Sequence, residues 1–106
     1  MFEMSKISIY INENAPTTET VRVLRPITGE SISYLQRAIA TEQPVYRCEL
    51  FLNDFADVAD TLRSIVMDLD STGVHFTITE EIKGAEETIT KEILLKILSD
   101  SESYRL

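Results

Sequence analysis

The longest regular pattern in the chain runs from Asn53 to Ile78, where the spacing of hydrophobic positions changes partway along. Phe55, Val58, Leu62, Ile65, Val66 and Leu69 recur mostly at steps of three and four, which puts one apolar stripe on a helix of about 3.6 residues per turn. Asp54 is placed to be the N-cap, its carboxylate accepting the backbone N–H of Asp57, with both charges at the positive end of the helix dipole. Gly73 is the predicted stop. From Val74 the period becomes two: Val74, Phe76 and Ile78 fall on one side, and His75, Thr77 and Thr79 on the other, as in a half-buried strand.

The same reading extends to both ends of the chain. Ile7, Ile9 and Ile11 alternate with Ser8, Tyr10 and Asn12, which predicts a strand with one buried face. The polar stretch that follows, with Pro16 and several threonines, predicts a loop. Thr20 to Leu24 is β-branched and apolar, so a second strand is expected there, able to pair with the first and closed off by Pro26. Thr28 to Ser31 predicts a turn, and Ile32, Leu35, Ala38 and Ile39 predict a helix over Ser31 to Thr41, ended by Pro44. Val45 to Leu52 is the most sheet-prone run: Tyr46, Cys48, Leu50 and Leu52 share one face, and Val45, Arg47, Glu49 and Phe51 the other. After Ile82 come a turn, then Glu86 to Ile89, which fits either a short returning strand or a helix, and a last helix capped by Thr90 with Ile93, Leu94, Ile97 and Leu98 as its stripe. The tail from Ser99 is expected to fray or to dock only through Tyr104. These elements add up to a single α/β domain, an α+β sandwich with four or five strands in one sheet and two to three helices packed on it.

Size and composition agree with that picture. A chain of 106 residues, 43% hydrophobic and 26% charged, is long enough to bury one core without disulfide or metal staples. Its apolar runs fall short of the roughly 20 residues that span a bilayer, and its first residues lack a signal-like stretch, so a cytoplasmic protein is expected. Cys48 is the single cysteine, and its place among apolar alternates predicts an inert core thiol.

Charge changes the picture most. Eighteen acidic against ten basic residues give a formal net charge of −8, which repels phosphate backbones, disfavours nucleic acid and steers in a basic protein partner. Plain solubility is the competing explanation.

Little in the sequence is equipped for catalysis. His75 is the only histidine and stands on the solvent side of its strand, with no serine or cysteine tied to it by a recognisable dyad. Asp57, Asp60 and Asp68 occupy the helix face away from the apolar stripe. Asp68 to Gly73 resembles the start of a calcium loop, but Thr79 stands at the twelfth position, where a bidentate glutamate is required. Gly29, Gly73 and Gly84 belong to separate turns and form no phosphate cradle. The expectation is therefore no enzyme, no metal and no cofactor.

Two surfaces remain as candidates for binding. One is the sheet face of Val45, Arg47, Glu49 and Phe51, suited to a partner or a second copy, unless the last helix covers it. The other is an acidic rim of Asp54, Asp57, Asp60, Glu80 and Glu81.

Arg25, Thr28, Gly29, Ile32, Leu35, Ile39, Pro44, Val45, Leu62, Leu69, Gly73 and Val74 follow in an order that resembles the C-terminal domain of the bacterial ribosomal stalk protein, over roughly residues 22 to 78. In that family an arginine precedes Thr-Gly, a leucine-rich helix, Pro-Val, a second long helix, a glycine and an apolar strand. The resemblance implies an α/β fold, shared with protease adaptors that recognise short peptides, and a binding role. It does not imply a place on the ribosome. The helix after Thr-Gly is lysine-rich and partner-facing in the stalk family, whereas here it carries Ser33 and Gln36, with only Arg25 and Arg37 keeping that sign of charge. Pro26 stands where the family continues a helix, against the strand expected over Thr20 to Leu24. The leading expectation is a protein-binding module, either an adaptor or an inhibitor of the immunity type that neutralises a basic partner, acting as a monomer or weak dimer. A structural or homo-oligomeric module and a small enzyme using a carboxylate pair are the alternatives.

Overall fold

The computed structural model describes residues 5–12, 18–50 and 55–103, with backbone alone at residues 55 and 101–103. The predicted cap at Asp54, the side chains of Phe51, Leu52 and Phe55, most of the first loop, and Tyr104 therefore lie outside the described residues.

The elements follow in the order β1 (Lys6–Ile11), α1 (Thr18–Thr28), α2 (Ile32–Ala40), β2 (Tyr46–Glu49), α3 (Phe55–Thr72), β3 (Phe76–Ile82), β4 (Ala85–Ile89) and α4 (Lys91–Ser103). The strands form one antiparallel sheet of order β2-β1-β3-β4. Register explains why its two faces differ. Ile9 stands opposite both Tyr46 and Ile78, and Ile78 opposite Ile89, so alternate residues of all four strands gather on one face with Ile7 and Ile11. That face is buried with the helices in a single core. Within the helix layer α1 packs on α2 and on α3, and α4 packs on α3.

The predicted stripe of α3 is the centre of the core. Leu62, Ile65, Val66 and Leu69 are fully buried, each burial stabilising the fold by roughly 1.5–3 kcal/mol. The helix ends where glycine permits it to. The N–H of Val74 donates to the carbonyl of Leu69 at 3.3 Å and that of Gly73 to Asp70 at 3.2 Å, a reversal that needs the positive φ of 76° at Gly73. Val74 then faces the core and the period-two pattern begins. Helix α2 starts with Ser31 accepting the N–H of Tyr34 at 3.1 Å. It ends in a similar reversal, with Glu42 at φ 57° in the place glycine usually takes. Thr90 caps α4 by accepting the N–H of Ile93 at 3.1 Å, and Leu94 and Leu98 enter the core. Lys91 at the start of α4 donates to Asp70 at the end of α3 at 2.7 Å, which lifts the Lys91 ammonium above its ordinary value chiefly through that hydrogen bond and charge.

Two expectations are corrected. The strand expected over Thr20 to Leu24 is part of α1, so the described residues form four strands and four helices. Thr20, Val21 and Leu24 are all buried at helical spacing, and packing against α2 and α3 overrides the β preference of that short run. Pro26 sits inside this helix near its end, where its missing N–H forfeits only the bond to the exposed Arg22. Val45, expected beside Arg47 on the second face, is buried in the core, and its N–H donates to the Ile9 carbonyl at 2.8 Å. The strand proper begins only at Tyr46, so alternation does not reach back to Val45. Among the described residues no helix is long and apolar enough to cross a membrane.

Candidate protein-binding surface

The helices leave the second face of the sheet open, and register assembles its side chains. Ser8 stands opposite Arg47 and Thr79, Tyr10 opposite Thr77, and Lys6 opposite Glu49 and Glu81. Glu86 and Thr88 of β4 continue the same face. The side chain of Ser8 is small enough for Arg47 to reach across β1, where its Nη2 donates to Glu81 Oε1 at 2.9 Å. Tyr10 reaches the other way, its hydroxyl donating to Glu86 Oε2 at 3.2 Å, and Thr79 donates to the same oxygen at 2.9 Å. These bridges cover Ser8 and Thr79, which are buried on a face that alternation alone assigns to solvent. Burial raises the Tyr10 phenol above its ordinary value, and the charge and hydrogen bond of Glu86 add to this, while Arg47 and Ser8 oppose it. Asn12 and Thr77 exchange side-chain hydrogen bonds of 2.8 and 3.0 Å at one end of the face. There a polar cavity of about 550 Å³ opens between them, Tyr10 and the end of α2.

The hairpin of β3 and β4 closes as tightly as a hairpin can. Ile82 pairs with Ala85 across Lys83 and Gly84, whose φ angles of 53° and 79° are those of a type I′ turn. This turn fixes the register that sets Glu81 opposite Glu86 and Glu80 opposite Glu87. Like charges directly opposite one another destabilise a strand pair by roughly 0.2–1 kcal/mol. Glu81 is relieved by Arg47, and Glu86 by the hydroxyls of Tyr10 and Thr79. No ion pair reaches Glu80 or Glu87 among the described residues. β4 is also an edge: no described strand pairs with its outer side, and Ala85 to Thr88 are exposed.

The residues singled out from sequence therefore fall on different surfaces. Arg47, Glu49 and Glu81 come together on the open face, with Phe51 outside the described residues. Glu80 lies one residue from Glu81 and so faces the opposite way, sharing its side with Ile7. Asp57 and Asp60 are exposed on α3 in the helix layer, Asp60 being 3.8 Å from Arg63. Of the expected acidic rim, Glu80 and Glu81 thus lie on opposite faces of the sheet, and Asp54 is outside the described residues. Helix α4 packs on α3, and the Arg47 side chain remains exposed. Sequence reasoning passed over Tyr10, Thr79, Glu86 and Glu87. The available signal was the near-palindrome from Glu80 to Glu87, two glutamates on either side of Ile-Lys-Gly-Ala.

Elsewhere, a groove of about 850 Å³ lies between α1 and α2, floored by Val21, Pro26 and Ile32 and edged by Arg22, Arg25 and Glu30. Asp70 is engaged by Lys91, and among the described residues no three His, Cys, Asp or Glu side chains gather as a metal site would require. Cys48 is half-buried against the core.

Comparison with known proteins adds no kinship: no family model matches the chain, and no curated protein or solved structure matches it.

Proposed function

We propose that the protein is a binding module whose acidic β3–β4 hairpin receives a basic segment of a partner protein, in the manner of an adaptor or an immunity-type inhibitor. The observation that carries this reading is the opposition of Glu80 and Glu87 with no counter-ion among the described residues, beside Glu81 and Glu86. Such an arrangement costs the free protein stability, and a partner's lysines or arginines offset that cost on binding. The net charge of −8 supplies the long-range field that steers a basic partner towards the hairpin. The resemblance to the stalk family also favours a binding role over catalysis.

The test is capture of partners by the tagged full chain from its native lysate at low salt, followed by stopped-flow association with the captured protein. A basic partner is expected, eluting with salt, with an association rate falling about tenfold or more from low to high ionic strength. The Glu80→Gln, Glu87→Gln double variant is expected to lose part of that salt dependence and to bind more weakly. Equal association rates at low and high salt abolish the proposal.

A further inference from the structure

We infer that the outer edge of β4 takes the basic partner segment as a fifth, antiparallel strand. This rests on the proposed function and adds to it the mode of binding and the pattern of residues recognised. In a hairpin closed by a two-residue turn, Ile82 and Ala85 form a hydrogen-bonded pair, and such pairs then recur at every second residue. Glu80 with Glu87 and Ile78 with Ile89 are accordingly bonded to each other, while the backbone N–H and C=O groups of Glu86 and Thr88 point outward from the edge. Unpaired groups of this kind are a template for another strand.

Charge selects the occupant. Glu86 and Glu87 are neighbours and project to opposite faces, so a strand laid along β4 meets one carboxylate on each face and answers both with two consecutive basic residues. Two copies of this chain paired through β4 would instead bring the same glutamates together. Ile89, half-buried beyond them, adds one apolar contact. Read from N- to C-terminus in the antiparallel direction, the segment that fits is an apolar residue opposite Ile89, any residue opposite Thr88, then two basic residues opposite Glu87 and Glu86.

The probe is a capped heptapeptide of sequence Thr-Val-Thr-Lys-Lys-Thr-Ser, titrated into the isotopically labelled full chain. Sub-millimolar binding is expected, with amide exchange at Glu86 and Thr88 slowed at least about tenfold on saturation. N-methylation of the second lysine, which faces Glu86, is expected to weaken binding at least about tenfold, whereas N-methylation of the first lysine, whose N–H points away, leaves it within about twofold. Thr88→Pro removes an outward N–H without touching the β3 ladder, so it abolishes binding while the circular dichroism and unfolding midpoint hold. Equal binding by both methylated peptides, protection confined to other residues, or no binding by the parent peptide overturns strand addition. The basic-partner reading survives each of these, because it falls only on salt-independent association of the captured protein.

Discussion

Thr20 is the residue whose chemistry fits its surroundings least. It is fully buried in α1, and its hydroxyl has no hydrogen-bond partner among the described residues. A buried hydroxyl left unsatisfied costs roughly 1–3 kcal/mol, so Thr20→Val, which keeps the shape and removes the polar atom, is expected to raise stability by about 1 kcal/mol in urea unfolding. Tyr10 gives a prediction of a different kind. Because burial and Glu86 hold its phenol above 10.0 in the folded chain, the unfolded chain loses that proton first as pH rises. Its contribution to stability is therefore whole below pH 10.0 and disappears as pH climbs through the raised folded value. Lys91 is also raised, from 10.5, and has the same sign. Tyr10→Phe is accordingly expected to reduce, and not to remove, the loss of stability measured in unfolding experiments above pH 10.0.

At the scale of the element, the β3–β4 hairpin sets local stability against the proposed function. Glu87→Lys places an ammonium opposite Glu80 and is expected to stabilise the chain by about 0.2–1 kcal/mol, while weakening association with a captured basic partner. Thermal unfolding and the binding kinetics should move in opposite directions. Elements whose pattern is local were legible in the sequence: the isoleucine alternation of β1, the stripe and glycine stop of α3, the change of period at Val74, and the Thr90 cap of α4 each rest on neighbours in the chain. Helix α1 was not, because Thr20, Val21 and Leu24 suit a strand when read alone and become helical through burial against distant elements. The site was half legible for the same reason. Arg47 and Glu81 could be nominated one by one, but their ion pair across Ser8, and the reach of Tyr10 to Glu86, depend on a strand order that no local pattern encodes.

For the whole molecule, segregation is the organising feature. All the helices lie in one layer with the apolar side of the sheet, and the other side is a polar network of hydroxyls, carboxylates and one arginine. An antiparallel sheet tolerates such one-sided covering, because its strands alternate between core and water. The open face is therefore a poor seat for an apolar partner. Its edge and its charges are the features left to engage one.

The central place of β1 has a consequence for the birth of the protein. Its isoleucines precede the strands they pair with, so Ile9 must wait for Tyr46 on one flank and for Ile78 on the other before the sheet closes around it. Pairings so remote along the chain make for slow folding and leave a sticky strand unescorted in the interval. The β3–β4 hairpin, closed by its two-residue turn, joins residues that are neighbours along the chain, so its own closure carries no such delay.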